Sequence, residues 1–178
     1  MADTSLPEIP RIGIKMSLPG DFDEVTWFGR GPHESYVDRK TSASIDLYNG
    51  SVWDQTFQYV RPQETGNKTD IRWIALMNNV NGLMIKGYPM FDGSVHQYPY
   101  EDLDYIPGSQ RHGKIDLKPK ETVECLIDFK QMGVGGDNSW GAKPHDQFMI
   151  FPGKYSFSYK MIPFDRGTDL ISLSKLNY

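Results

Sequence analysis

The sequence contains a single cysteine, Cys125. One thiol cannot form an internal disulfide, and it cannot build a zinc site from several cysteine ligands. No apolar run in the chain approaches the roughly 20 residues that a membrane-spanning helix needs. The first ten residues, MADTSLPEIP, have neither the basic head nor the apolar stretch of a secretory signal peptide. Disulfide scaffolds, cysteine-rich metal sites and membrane spans are therefore not expected.

An excess of positive charge is also absent. The 19 Lys and Arg and the 23 Asp and Glu residues give a formal net charge of −4, and the two signs are interspersed. Proteins that bind nucleic acid usually concentrate basic residues on one surface, so no nucleic-acid partner is expected. Hydrophobic residues make up 38% of the 178 positions and aromatic residues 13%, which is typical of one folded domain with a real core.

Apolar and polar residues alternate in several segments, as they do along strands with one buried face. The clearest alternation lies at residues 12–18, 43–47, 123–129 and 155–161. Shorter strands are predicted at 25–28, 57–60, 71–77, 83–86 and 148–151. The pattern predicts an all-β protein.

Turn signals separate these segments. They are Pro19-Gly20, Asn49-Gly50, Asn81-Gly82, Asp92-Gly93 and Pro152-Gly153. Asn-Gly and Asp-Gly accept the positive φ angles of tight hairpin turns. Many short strands with such punctuation favour an antiparallel sandwich or barrel. Residues 1–10 are predicted to be a flexible lead-in, and 169–178 are ambiguous because Leu170, Leu173 and Leu176 recur at every third position.

No catalytic constellation can be assigned from spacing alone. Glycoside hydrolysis normally needs two facing carboxyl groups, and Glu34 with Asp38, or Asp102 with Asp104, are formal candidates among many acids. Solvated loop acids or salt-bridge partners are the favoured interpretation. The four histidines have no metal-site spacing, and a structural or surface role is predicted for each; they are His33, His96, His112 and His145.

Three loop segments are unusually rich in glycine, aromatic and charged residues. Residues 27–39 read WFGRGPHESYVDR, residues 61–73 read RPQETGNKTDIRW, and residues 132–140 read MGVGGDNSW. In order and spacing these blocks resemble the carboxy-terminal domain of long β-galactosidases of glycoside hydrolase family 2, the lac-operon class. Arg11-Ile12-Gly13 and Pro152-Gly153-Lys154-Tyr155 match as well, so the resemblance covers residues 11–162.

The resemblance implies an antiparallel β-sandwich of the supersandwich type, related to galactose mutarotase, of which this chain is the carboxy-terminal part. In that family the catalytic glutamates and Mg²⁺ belong to a separate TIM barrel, so neither a catalytic acid nor a metal is expected here. The implied partners are a galactoside substrate held with the barrel, and the remainder of the same sandwich. The parent is bacterial, and its compartment is left open between cytoplasm and periplasm. Residues 163–178 are a tail without an assigned role.

The resemblance implies that Trp140 forms part of the sugar platform. An indole face can cover the apolar face of a pyranose ring, and covering roughly 100 Å² contributes at most about 2.5 kcal/mol. Packing in the core is the alternative role for this tryptophan. The residues predicted to shape and brace its loop are Gly135, Gly136, Asp137, Asn138 and Ser139.

Charged residues of the first two blocks are predicted to form ion pairs that hold loops. They are Glu34, Asp38, Arg39, Glu64 and Arg72. Part of a sandwich leaves an apolar face uncovered, so self-association of the isolated chain is expected. Two other functions stay open. A carbohydrate-binding module needs two or more exposed aromatics in a groove, and an aldose epimerase needs an acid and a base across one sugar, for which His33, His96 or His112 with Glu64 are formal candidates that no spacing supports.

Overall fold

The computed structural model describes residues 6–104, 108, 113–138 and 140–176 of the chain. Antiparallel strands dominate it, which confirms the predicted all-β class. The strands are β1 (Arg11–Pro19), β2 (Glu24–Gly31), β3 (Ser44–Ser51), β4 (Lys68–Met77), β5 (Asn81–His96), β6 (Thr122–Gln131) and β7 (Ser158–Asp165). The helix α1 covers Leu170–Lys175, and short 3₁₀ turns lie at Trp53–Gln55, Tyr100–Leu103, Gly113–Asp116 and Asp146–Phe148. None of the helices in these described ranges has the length and apolar character needed to cross a membrane.

The seven strands form one hydrogen-bonded sheet: six of them follow the order β1-β6-β5-β4-β2-β3, and β7 pairs with β5 off this path. The 16-residue strand β5 organises this sheet, because β4 pairs along one of its edges while two strands share the other. The first half of β5, from Asn81 to Tyr88, pairs with β7, and its last five residues, from Asp92 to His96, pair with β6. The sheet therefore branches at the middle of β5.

Both faces of the sheet carry apolar cores. Neighbouring residues of a strand point to opposite faces, so Ile74 of β4 joins the larger core and Trp73 joins the smaller one. The larger core also contains the buried residues Val25, Trp27, Val52, Ile71, Leu76, Ile85, Phe91, Val95, Val123, Cys125 and Ile127. On the opposite face, α1 packs Leu170 and Leu173 against the smaller core.

Two predicted strands and three predicted turns differ from the structure. Residues 57–60 and 148–151 lie outside the strands. The Phe57 amide donates to the Thr65 hydroxyl at 2.9 Å, while the carbonyls of Ile150 and Phe148 accept from the amides of Ile9 and Gly133. Asn49-Gly50 lies inside β3, Asn81-Gly82 forms the first two residues of β5, and Asp92-Gly93 lies further along β5. A Cβ on Gly93 would lie 2.8 Å from the Leu126 carbonyl oxygen, so this glycine permits close strand approach instead of a turn.

Described residues near both ends of the chain contact the body of the protein. In the lead-in, Ile9 donates to Ile150, and the Pro10 carbonyl accepts from the Met132 amide at 2.9 Å. At the other end, β7 continues to Asp165, and Asp169 caps α1 by accepting from the Ile171 amide at 3.0 Å. The described residues of β7 and α1 thus pack against the smaller core.

Candidate functional site

The glycine-rich segment 132–145 forms a loop that begins where β6 ends. Its base is closed by the Gly133 amide, which donates to the Phe148 carbonyl at 2.8 Å, and by the Met132 amide, which donates to Pro10. Lys143 on the returning leg pairs with Glu8 at 2.8 Å. Both legs of the loop are therefore attached to the body of the protein.

Trp140 lies at the tip of this loop with 90% of its surface exposed. This exposure excludes the alternative in which Trp140 packs in the core. The Trp140 amide donates to the Asn138 side-chain oxygen at 2.8 Å, and the following residue, Gly141, has a φ of +97°. A turn of this kind keeps residue 140 at the surface, where the indole contacts solvent.

The residues predicted to brace the loop do so in different ways. Asn138 bonds to the backbone, whereas Asp137 bonds to the ring of His145 at 2.8 Å. A Cβ on Gly136 would lie 2.1 Å from the Ala142 carbonyl oxygen, so glycine is required where the loop crosses itself. Ser139 lies outside the described residues.

Asp38 connects the first sequence block to this loop. Its Oδ2 accepts the Gly135 amide at 2.8 Å, over a sequence separation of 97 residues. In the described part of the chain, Asp38 makes this bond in place of the ion pair predicted from the sequence.

Glu34 is the most heavily bonded acid of the site, and 9% of its side chain is exposed. Oε1 accepts from Arg39 at 2.7 Å and from the Tyr59 hydroxyl, while Oε2 accepts from the Gly66 amide at 2.8 Å and the Thr65 hydroxyl at 3.2 Å. Both oxygens are thus occupied by donors. Glu34 joins the first block to the second as a structural acceptor.

Glu64 pairs with Arg11, which sequence reasoning did not select. The Arg11 guanidinium lies 3.3 Å from Glu64 and 3.4 Å from Asp128, and the Tyr100 hydroxyl also donates to Glu64. Burial raises the pKa of Asp128 to about 6, although the Arg11 charge acts in the opposite direction. The only sequence signal for Arg11 was its place in the Arg-Ile-Gly opening of the family resemblance.

Arg72 lies apart from this network. It donates to the Asp70 carbonyl at 2.6 Å and stands over the Phe28 ring at 5.5 Å. A backbone carbonyl and an aromatic ring therefore take the place of the carboxylate that was predicted as its partner.

A cleft of about 640 Å³ separates the first two blocks from the loop. Its walls include Asp38, Tyr59, Glu64, Phe148 and the loop backbone at 133–137. Asp38 Oδ1 and Glu64 Oε1 are buried without a hydrogen-bond partner in the described structure. The wall of the cleft therefore carries two carboxyl oxygens without a hydrogen-bond partner in the described structure, beside the guanidinium of Arg39.

His96 does not provide an accessible acid–base partner for Glu64. His96 is wholly buried, and its two ring nitrogens lie 3.0 Å from Tyr98 and Ser94. Burial lowers the pKa of His96 to about 3, so the ring is neutral and cannot exchange protons with a ligand in solution. His33 contacts Ser42 at 3.0 Å, and His112 lies outside the described residues. An epimerase based on His96 is therefore excluded.

Among the residues with described positions, no group of three or more His, Cys, Asp or Glu side chains is arranged to hold a metal ion.

Comparison with known proteins agrees with the sequence blocks. Residues 1–161 match the family described as beta galactosidase small chain. The beta-galactosidase of Priestia megaterium is 40% identical over 161 residues, which cover 89% of this chain and 15% of that protein. The beta-galactosidase of Vibrio cholerae is 33% identical over 157 residues, with 88% and 14% coverage.

The relative from Halalkalibacterium halodurans, also a beta-galactosidase, is 32% identical over 158 residues and is covered to 14% of its length. The chain thus spans about 15% of the length of the curated relatives that it matches. Within the structure, Glu34 joins the first block to the second, and Asp38 joins the first block to the third. By its match over residues 1–161, the chain belongs to the β-galactosidase small chain family.

Proposed function

We propose that this chain is the carboxy-terminal sandwich part of a family 2 β-galactosidase, and that it binds the substrate without cleaving it. In the parent reaction, two carboxyl groups on another domain hydrolyse a terminal β-D-galactoside with retention, through a galactosyl-enzyme intermediate. The single observation that carries this proposal is the exposed Trp140 on a braced loop, in a chain of the β-galactosidase family.

The chemistry of Trp140 suits recognition of a sugar ring. The indole has no acid or base function near neutral pH, so it can stack on the ring but supplies no proton. Removing a contact of roughly 100 Å² weakens binding by up to about 2.5 kcal/mol, and each 1.4 kcal/mol is a factor of ten. A loss of tenfold or more in substrate affinity is therefore expected.

A chimera provides the direct experiment. The matching segment of the Priestia megaterium beta-galactosidase is replaced by this chain, and hydrolysis of a chromogenic galactoside is measured. The chimera is expected to be active, and Trp140→Ala is expected to raise KM about tenfold. Val60→Ala, which shortens a residue that is 82% exposed and outside the loop, is the matched control. An unchanged KM in Trp140→Ala contradicts the proposal.

The isolated chain should not hydrolyse the substrate. Both oxygens of Glu34 are engaged by donors from the protein, which supports a structural role for this carboxylate. Turnover of a chromogenic galactoside by the purified chain alone, retained through repeated chromatography, would overturn the division of labour between domains.

An exposed apolar stripe on β2 and β3 supports a contact between this chain and the rest of the enzyme. Phe28, Ile45 and Leu47 are 37%, 43% and 41% exposed, and β3 is an unpaired edge of the sheet. The remainder of the sandwich is proposed to cover this stripe, and the isolated chain to self-associate through it. A strict monomer by light scattering at high concentration would count against this pairing.

A further inference from the structure

The tip of the Trp140 loop has few bonds to the body of the protein. Gly133 is fixed to Phe148, and Lys143 is fixed to Glu8. Between these two points, and among the described residues, one hydrogen bond leaves the loop: the Gly135 amide donates to Asp38 Oδ2. The bonds Trp140–Asn138 and Asp137–His145 remain within the loop.

Asp38 is presented to the loop by a rigid turn. Tyr36 and Arg39 exchange two backbone hydrogen bonds, of 3.2 and 2.8 Å, so residues 37 and 38 form the tip of a tight turn. Tyr36 is only 1% exposed, and Arg39 is bound to Glu34. The carboxylate of Asp38 therefore has little freedom to move.

The loop backbone is shaped to approach this carboxylate closely. A Cβ on Gly133 would lie 2.6 Å from Asp38 Oδ2, and one on Gly135 would lie 3.5 Å from it. A side chain at 133 would therefore displace the loop from Asp38. A hydrogen bond from an amide to a carboxylate is about twice as strong as one between neutral groups, which makes this contact suitable as an anchor.

We infer that Asp38 is the residue that positions Trp140 for the substrate, by fixing the loop through the Gly135 amide. Asp38 is a positioning residue and not a catalytic one, because it acts through the loop. The inference rests on the proposed role of Trp140. It also gives a physical reason for the joint presence of the first and third sequence blocks: one supplies the carboxylate, and the other supplies the glycines that reach it.

Kinetics of the chimera test the inference through two substitutions at position 38. Asp38→Ala removes the acceptor, and KM is expected to rise three- to tenfold while kcat changes less than twofold. Asp38→Asn keeps a side-chain oxygen that can accept the Gly135 amide, so KM is expected to stay within about twofold of the unmodified chimera. Equal KM values for Asp38→Ala and the unmodified chimera would overturn the positioning role.

A double-substitution cycle separates positioning from general stability. If Asp38 acts through Trp140, then Asp38→Ala in the Trp140→Ala background raises KM no further, because the platform is already lost. A general structural role predicts instead that the two effects multiply. Multiplying effects would contradict the inference.

A measurement without sugar distinguishes failure of this inference from failure of the proposed function. The chain is labelled with 5-fluorotryptophan, and the ¹⁹F resonance of Trp140 is assigned by its loss in Trp140→Phe. Asp38→Ala is expected to shift and sharpen this resonance, whereas Asp38→Asn and the control Asp46→Ala leave it in place. Asp46 is a suitable control because it also accepts a backbone amide, that of Leu47, at 2.8 Å.

Gly133→Ala approaches the same contact from the loop side and serves if Asp38→Ala does not fold. Its added methyl group displaces the loop, so the same change in the Trp140 resonance is expected. A Trp140 resonance identical in Asp38→Ala, or in Gly133→Ala, and the unmodified chain overturns the positioning role. An unchanged KM in Trp140→Ala overturns the proposed function instead.

Discussion

Acid should destabilise the chain through His96, and the effect can be isolated by substitution. His96 is fully buried on β5, with its two ring nitrogens bonded to Tyr98 and Ser94. Burial, together with the nearby charges of Arg11 and Lys68, lowers the pKa of the folded ring to about 3. In the unfolded chain the ring regains an ordinary pKa of about 6.5.

The sign and the size of the effect follow from this difference. Because the folded pKa of His96 lies below the unfolded one, its contribution to stability is present above pH 6.5 and is lost as the pH falls towards 3. A pH of 5 lies about 1.5 units below the pKa of the unfolded ring, so the unfolded chain binds a proton that the folded ring does not. The free energy of unfolding is therefore about 2 kcal/mol lower at pH 5 than at pH 7.

The unfolding curve of the unmodified chain does not show this loss directly. Burial raises the pKa values of Asp92 and Asp128 to about 7 and about 6, and such acids gain stability as the pH falls. The difference in free energy of unfolding between the unmodified chain and His96→Gln removes these shared terms. Urea unfolding at pH 7 and pH 5 should show this difference shift by about 2 kcal/mol in favour of His96→Gln.

Val95→Ala is the control for this experiment. The substitution shortens a buried side chain of the same strand that does not titrate. The difference in free energy of unfolding between Val95→Ala and the unmodified chain should therefore be equal at the two pH values. A His96→Gln difference that is also equal at pH 7 and pH 5 would refute the assignment of a depressed pKa to the buried ring.

The remaining predictions concern the thiol, the Glu34 network and α1. The Cys125 thiol is fully buried, and burial raises its pKa to about 12. A thiol reagent should therefore label it only upon unfolding, and rapid labelling of the native chain would contradict this burial. Glu34→Ala leaves several donors without an acceptor and should lower the free energy of unfolding, measured by chemical denaturation, by about 3 kcal/mol. A change near zero would contradict the structural role of Glu34. Leu173→Ala should lower the free energy of unfolding by about 1–2 kcal/mol, because Leu173 packs on the smaller core. Ile171→Ala, on the exposed face of α1, should change it little. Equal losses of stability in the two variants would contradict the packing of α1 described above.

Much of the fold was predictable where local pattern and tertiary context agree. The alternation at 12–18 became β1, and the alternation at 123–129 became β6, because each strand packs one face on the larger core. Asp92-Gly93 misled the prediction because the glycine serves the approach of β6 at Leu126, which local sequence does not reveal. The helix α1 was ambiguous because its three leucines suit either a short helix or a strand-like tail.

The site was predictable only in part for a related reason. The loop residues around Trp140 stand together in the sequence, so their glycines and Asn138 could be selected by motif. Partners such as Arg11 for Glu64, and Gly135 for Asp38, are separated by 53 and 97 residues. Which charged group meets which donor depends on how β1, the 36–39 turn and the loop come together, and composition or spacing does not encode that choice.

The most direct test of the account is the KM of the chimera for a chromogenic galactoside, with and without the Trp140 indole. A rise of about tenfold in Trp140→Ala, with the Val60→Ala control unchanged, is the expected result and identifies the exposed ring as a binding surface for the sugar. Equal KM values for Trp140→Ala and the unmodified chimera would contradict the central claim that this chain contributes its exposed tryptophan to substrate binding.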